Sequence, residues 1–156
     1  MYPLLFRAAQ RFVTGETMED AISRALELMS KGYLVSLEYI GENTGTEEEC
    51  IAAKDEFIRL IHVVGEHKVQ STISLDLSHI GMMVDTELAY QHLAELAQQA
   101  GLYGLTIMIS MEESAKTDQI LGLYKKAADL YPNVGITLQA QLHRTAHDLA
   151  EIIHYP

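Results

Sequence analysis

The sequence predicts an α/β fold of four strand–helix units with one extra helix in front. Three observations carry that expectation. Apolar runs of strand character alternate strictly with stretches of helical period, and such alternation implies a parallel sheet with right-handed crossovers. The runs at 33–37, 73–77 and 105–109 are rich in apolar residues, as in strands buried on both faces. No linker or low-complexity segment divides the 156 residues, so 1–156 reads as a single domain, long enough to bury a sizeable core.

The elements follow in order. A first helix spans 17–31. Thr17 with Asp20 is its capping signal, Met18, Ala21, Ile22, Ala25 and Met29 share one face, and Gly32 ends it. Strand one covers 33–39. The next helix starts near Thr46, which forms a capping box with Glu49. Ile51, the stem of Lys54, Ile58 and Ile61 follow on its inner side, with a stop at Gly65. Strand two is 71–77. A helix over 85–100 turns Leu88, Ala89, Leu93, Leu96 and Ala97 inward, and Gly101 is its stop. Strand three is 105–111. The helix over 117–130 is ended by Pro132. Strand four is 134–140, and a last helix covers 145–153.

Composition removes several function classes. Against 22 acidic residues stand 11 basic ones, a net charge of −11. A nucleic-acid surface needs a positive stripe, and electrostatic attachment to anionic lipid needs basic clusters; neither is present. The acidity reads as a solvated surface. No run of eighteen apolar residues exists, so no transmembrane segment is expected. Residues 1–6 are too short for the apolar core of a signal peptide. Cys50 is the sole cysteine, which excludes an internal disulfide and points to a reducing, cytoplasmic setting. There is no Gly-x-Gly-x-x-Gly, no Walker loop and no nucleophile elbow.

In parallel α/β folds ligands sit at the carboxyl ends of the strands. Here those ends carry Glu38, Tyr39, Asp76, His79, Ser110, Glu112, Glu113, Gln139, Gln141, His143 and Arg144. Glu38, Asp76 and Glu112 make either an oxygen-rich cation site or carboxylates that share a mouth without metal; no metal is expected. His79 and His143 are either acid–base groups or hydrogen-bonded histidines. Tyr39 either stacks on a ring or packs half-buried. Arg144 is either a ligand clamp or a surface residue at a helix start. Glu47, Glu48 and Glu49 beside Cys50 raise a thiol's pKa, so Cys50 is not expected to be a nucleophile.

Four stretches carry a family resemblance. Arg11-Phe12-Val13-Thr14-Gly15-Glu16-Thr17, followed by Val35-Ser36-Leu37-Glu38-Tyr39-Ile40-Gly41-Glu42, resembles the opening of the flavin-dependent proline dehydrogenases. Ile73-Ser74-Leu75-Asp76-Leu77-Ser78-His79-Ile80-Gly81 is similar to that family's second barrel strand. Met108-Ile109-Ser110-Met111-Glu112-Glu113-Ser114 is similar to its third. The stretch from Asn133-Val134-Gly135 through Leu138-Gln139-Ala140 to Arg144 is similar to its fourth.

The resemblance implies half of an eight-stranded (β/α) barrel, TIM-like, preceded by an N-terminal helix. It implies FAD as the family cofactor and oxidation of proline to pyrroline-5-carboxylate as the family activity. At the two family catalytic positions it also implies departures: Asp76 stands for a lysine and Ser110 for an aspartate. Met108 stands for an arginine, and Gln141 and His143 for two aromatics. Gln139, a flavin contact in the family, and the downstream Arg144 are retained. The family's later flavin-holding strands and the arginines that clamp the proline carboxylate have no counterpart up to Pro156.

The expectation is therefore a truncated, catalytically inactive homologue that binds no FAD by itself. The alternative is part of an active FAD-dependent enzyme completed by C-terminal sequence or by a second, complementing chain. A half barrel has two open sheet edges, so a homodimer is expected, with strand four of each copy beside strand one of the other.

Overall fold

The computed structural model of the protein describes residues 17–155; Arg11 through Glu16 of the opening motif lie outside them. Helix α1 (Met18–Ser30) leads into β1 (Val35–Glu38), α2 (Glu47–Glu66), β2 (Ser71–Leu75), α3 (Thr86–Leu102), β3 (Thr106–Ile109), a 3-10 turn (Ser114–Lys116), α4 (Thr117–Ala128), β4 (Val134–Ile136) and α5 (Thr145–Ile152). The four strands form one parallel sheet in the order β1-β2-β3-β4. This is the expected α/β class, four strand–helix units behind one helix.

The helix starts follow their sequence signals. The Thr17 hydroxyl accepts from the Asp20 N–H at 3.2 Å. Thr46 and Glu49 satisfy each other's backbone N–H groups in a complete capping box. Asp85 accepts from the Glu87 and Leu88 N–H groups at 2.7 and 3.0 Å. Each cap satisfies amides that a helix end otherwise leaves without partners.

Two helix details differ from expectation. The buried face of α2 is Cys50, Ala53, Phe57, Leu60, Ile61 and Val64, and Ile51 is exposed. The face is set by Phe57, which packs under the β1 and β2 turns. Gly65 does not stop α2, which runs one residue past it. Its role is close packing: a Cβ there would sit 2.2 Å from Cδ1 of Tyr103.

The strands are shorter than the apolar runs, and they are not buried on both faces. Register explains why. Leu37, Ile73, Ile107 and Val134 lie in one row across the sheet, and Leu75, Ile109 and Ile136 in the next. These rows face the helices, where Ile73, Leu75, Ile107 and Ile109 are fully buried. The opposite face carries Ser36, Thr72 and Thr106 in one row, then Glu38, Ser74, Met108 and Gly135. These residues are exposed or half-buried. The open face of the sheet thus carries mainly hydroxyls and is not apolar throughout. Ser36 Oγ lies 2.8 Å from Ser74 Oγ, and Thr72 Oγ1 donates to Ser36 Oγ at 2.8 Å. The runs resemble continuous apolar strands because Leu, Ile and Val dominate their inward positions.

One-sided burial makes a prediction. Leu75→Ala, on the helix side, is expected to lower unfolding free energy by about 2–5 kcal/mol. Thr72→Val, on the open face, is expected to change it by less than about 1 kcal/mol. Urea denaturation of both variants checks this, and comparable losses would refute one-sided burial.

Candidate functional site

Parallel strands bring their carboxyl ends to one side, so four turns meet there. The turn after β1 is fastened to the turn after β2. Asn43 N–H donates to Ser78 Oγ at 3.1 Å, and Thr44 Oγ1 donates to the Ser78 carbonyl at 2.9 Å. Asn43 adopts a positive φ of 54° to do so, a conformation asparagine tolerates better than most residues.

Glu112 joins all four turns. It follows β3 and is buried. Its Oε1 accepts the Ser78 N–H at 2.9 Å, which ties the β2 turn. Its Oε2 accepts from Lys116 Nζ at 2.8 Å, and the same ammonium donates to Asn43 Oδ1 at 2.8 Å, which ties the β1 turn. Its backbone carbonyl accepts from Gln139 Nε2 at 3.1 Å, which ties the segment after β4. Burial works to lower the Lys116 pKa, but the bonds to Glu112 and Glu113 outweigh it and hold the ammonium above its ordinary value. Lys116 escaped the sequence reading, although its spacing of four from Glu112 was a readable signal.

Asp76 and Ser110 occupy neighbouring strand ends, with Ser110 N–H donating to the Leu75 carbonyl at 2.9 Å. Burial is the first cause that pushes the Asp76 carboxyl up to about 6. The charges of Glu112, Glu38 and Glu42 add to it, and Lys116 offsets part. The sequence-predicted acids therefore share one electrostatic environment. Among the described residues no three His, Cys, Asp or Glu side chains gather closely enough to hold a metal ion.

His79 is buried, with its ring 5.1 Å from Tyr39 and 5.7 Å from Phe57 between centroids. Gly41 lies against the ring, where a Cβ would come within 2.3 Å. Only glycine permits that approach. Burial lowers the imidazole pKa, and a backbone hydrogen bond at Tyr39 opposes this in part. Cys50 is buried, with Sγ 3.1 Å from Thr44 Oγ1.

The two residues expected to contact a flavin are placed differently. Gln139 lies at the strand-end face, and its Oε1 is buried with no partner among the described residues. Arg144 is held away from the acids. Its Nε and one terminal nitrogen donate to Asp148 at 2.7 and 3.0 Å, and it also donates to Asp118. Asp148 is buried, and the bond to Asp118 joins the start of α5 to α4. Gln141 and His143 are exposed on the same turn. At the opposite end of the sheet a cavity of about 520 Å³ is lined by Leu34, Gln70, Ser71, Tyr103 and Leu105. The amino ends of parallel strands serve stability rather than chemistry.

Comparison with known proteins gives a consistent answer. The family model described as proline dehydrogenase matches residues 21–155. Proline dehydrogenase 1 of Bacillus subtilis is 31% identical over 144 residues, which is 92% of this chain and 48% of that protein. Proline dehydrogenase of Deinococcus radiodurans is 27% identical over 153 residues, 95% of this chain and 49% of that protein. The chain spans about half the length of the curated relatives it matches. Among solved structures, proline utilization A (PutA) from Bdellovibrio bacteriovorus inactivated by N-propargylglycine superposes with a TM-score of 0.80. The identity is 15%, over 92% of this chain and 18% of that one. A Bradyrhizobium japonicum PutA mutant superposes with a TM-score of 0.72 at 22% identity, over 90% of this chain and 16% of that one. At these identities the structural likeness establishes the fold alone.

The raised Asp76 pKa has a testable sign. Its folded value of about 6 lies above the ordinary 3.8. The folded state thus keeps a proton that the unfolded chain loses, and stability falls as pH rises from about 4 through about 6. Asp76→Asn is expected to be more stable than the parent at pH 7.5 by about 1 kcal/mol, after screening at an open mouth. The advantage is expected to vanish near pH 4. Thermal melts at both pH values check this; a gain that persists at pH 4 contradicts it.

Proposed function

This chain belongs to the proline dehydrogenase family, and we propose that it supplies four strand–helix units of such a barrel without itself oxidising proline. The observation that carries the reading is Asp76 and its surroundings. The resemblance places a lysine there. A carboxylate beside Glu38, Glu42 and Glu112 repels the carboxylate of proline where an ammonium would attract it. The nearby cation, Lys116, is taken up by Glu112, Glu113 and Asn43. Ser110 removes a second family group from the same place.

The family is in general FAD-dependent. When bound, a flavin accepts hydride from its substrate, and the protein supplies binding and orientation. Only one of the two retained residues is free to take part. Gln139 has an unsatisfied Oε1, whereas Arg144 is committed to Asp148 and Asp118. That set does not fit a flavin site, and the reading assigns none to these residues alone. Gln139 also favours the second reading, in which further sequence or a second chain completes an active enzyme, because its free acceptor suits a ligand donor.

The same reading includes self-association in a reducing, cytoplasmic setting. Tyr33, Leu34, Tyr39 and Ile40 are exposed around β1, as are Leu149 in α5 and Ile153 just after it. The outer edges of β1 and β4 have no strand partner among the described residues. Two copies joined edge to edge satisfy those backbone groups. They would bury on the order of 2,000 Å².

Two measurements test these statements on the purified 156-residue chain. No flavin absorbance and no proline-dependent dye reduction above a blank are expected; a stoichiometric flavin spectrum would establish the second reading instead. Light scattering at micromolar concentration is expected to give the mass of two chains. The mass of one chain, with a melt insensitive to concentration, would remove self-association.

A further inference from the structure

Sheet topology fixes how two copies of this chain meet when each closes the other's edges. The outer strands are β1 and β4, and all four strands are parallel. Pairing β4 of each copy with β1 of the other requires a two-fold axis along the strands. That axis leaves every strand pointing the same way. The two strand-end faces therefore come to one end and form a single mouth, to which each copy contributes half the turns.

The fold also fixes which charges meet there. Glu38 lies on the open face of the sheet, in the row of Ser74 and Met108. Asp76 follows Ser74 by two residues, the spacing of one strand face. Its carboxyl lies near Glu38 and Glu42 of the β1 turn, and near Glu112 and Lys116 of the β3 turn. Lys116 is already bonded to Glu112 and Glu113. His79, on the same turn as Asp76, is held toward its neutral form by burial. After β4, His143 is exposed, and Arg144 is bonded to Asp148 and Asp118. Glu38, Glu42 and Asp76 thus enter the mouth with no salt-bridge partner among the described residues, and the two-fold axis doubles them. An eight-stranded barrel is just wide enough for side chains to fill. The two acid sets then face each other within about two screening lengths.

We propose that self-association of this chain is proton-linked through Asp76, the dimer tightening as that carboxyl takes up a proton and the two acid sets in the shared mouth repel each other less. This linkage rests on the proposed edge-to-edge dimer. Burial first, and then the neighbouring acids, already push the Asp76 carboxyl up to about 6. A second set of acids across the mouth pushes it in the same direction. A group with a higher pKa in the dimer than in the single chain makes association bind protons, so the dimer tightens as pH falls through that range. Ordinary carboxylates stay charged above about pH 5, which separates Asp76 from the acidic surface at large. Histidines titrate in the same window, and an Asp76 variant separates it from them.

The test is sedimentation equilibrium of the intact chain at pH 5.5 and pH 7.5, at low and at high salt. The dissociation constant of the dimer is expected to be about three- to tenfold smaller at pH 5.5, with a smaller ratio at high salt. Asp76→Asn is expected to associate more tightly than the parent at pH 7.5 and to lose most of the ratio. Glu38→Gln, which keeps Asp76, is expected to tighten the dimer at pH 7.5 as well. A dimer whose dissociation constant is the same at both pH values overturns the linkage and leaves the dimer standing. So does a ratio that survives in full in Asp76→Asn. A single-chain mass at both pH values and all concentrations removes the dimer itself, and the linkage with it.

Discussion

The strand-end face depends on one buried carboxylate. Glu112 receives the Ser78 amide and the Lys116 ammonium on its two oxygens, and its carbonyl receives Gln139. Lys116 extends the tie to Asn43. Four turns from four separate units are therefore connected through a single residue. Breaking a buried, hydrogen-bonded ion pair leaves the remaining charge without compensation, so the arrangement holds as a unit. Its effect on the neighbourhood is electrostatic as well as mechanical: it consumes Lys116, and the Asp76 carboxyl then faces Glu38 and Glu42 with that cation already engaged.

The sheet explains what lies on either side of that tie. One face is a dry layer of Leu, Ile and Val rows against the helices. The other is a shallow lattice of hydroxyls interrupted by Met108. In a closed barrel the second face lines the interior, and its register would set which residues share a layer. Glu38 shares a row with Ser74 and Met108, while Asp76 and Ser110 extend beyond the paired strands. The charged groups thus concentrate at the mouth, and the floor beneath them is uncharged.

The family relation and the local chemistry address different questions. Membership follows from matched sequence along residues 21–155. What a site does follows from its side chains. Here Gln139 carries a buried acceptor with no partner among the described residues. Arg144 is a structural clamp between α4 and α5 through Asp118 and the buried Asp148. An arginine fork matches a carboxylate geometry in either role, so the same residue type serves ligand binding or helix docking according to what lies within reach.

The sequence by itself determined the element order, the parallel topology and the helix caps. These are local or follow from alternation: Thr46 needs only Glu49, three residues on, and strand–helix repetition fixes the crossover. It also determined which polar residues stand at strand ends, including Asp76, Ser110 and Gln139. Tertiary structure decided the rest. The inward face of α2 was set by Phe57 beneath distant turns, and Gly65 was needed for the Tyr103 ring rather than as a stop. The polarity of the open sheet face emerged only once register aligned Ser36 with Thr72 and Thr106. The partners of Arg144, the tie through Lys116 and the buried, unpaired nitrogen of His79 depend on contacts between residues far apart in sequence. Residue type gives a side chain its capacity for charge and hydrogen bonding; only packing determines whether that capacity is already spent.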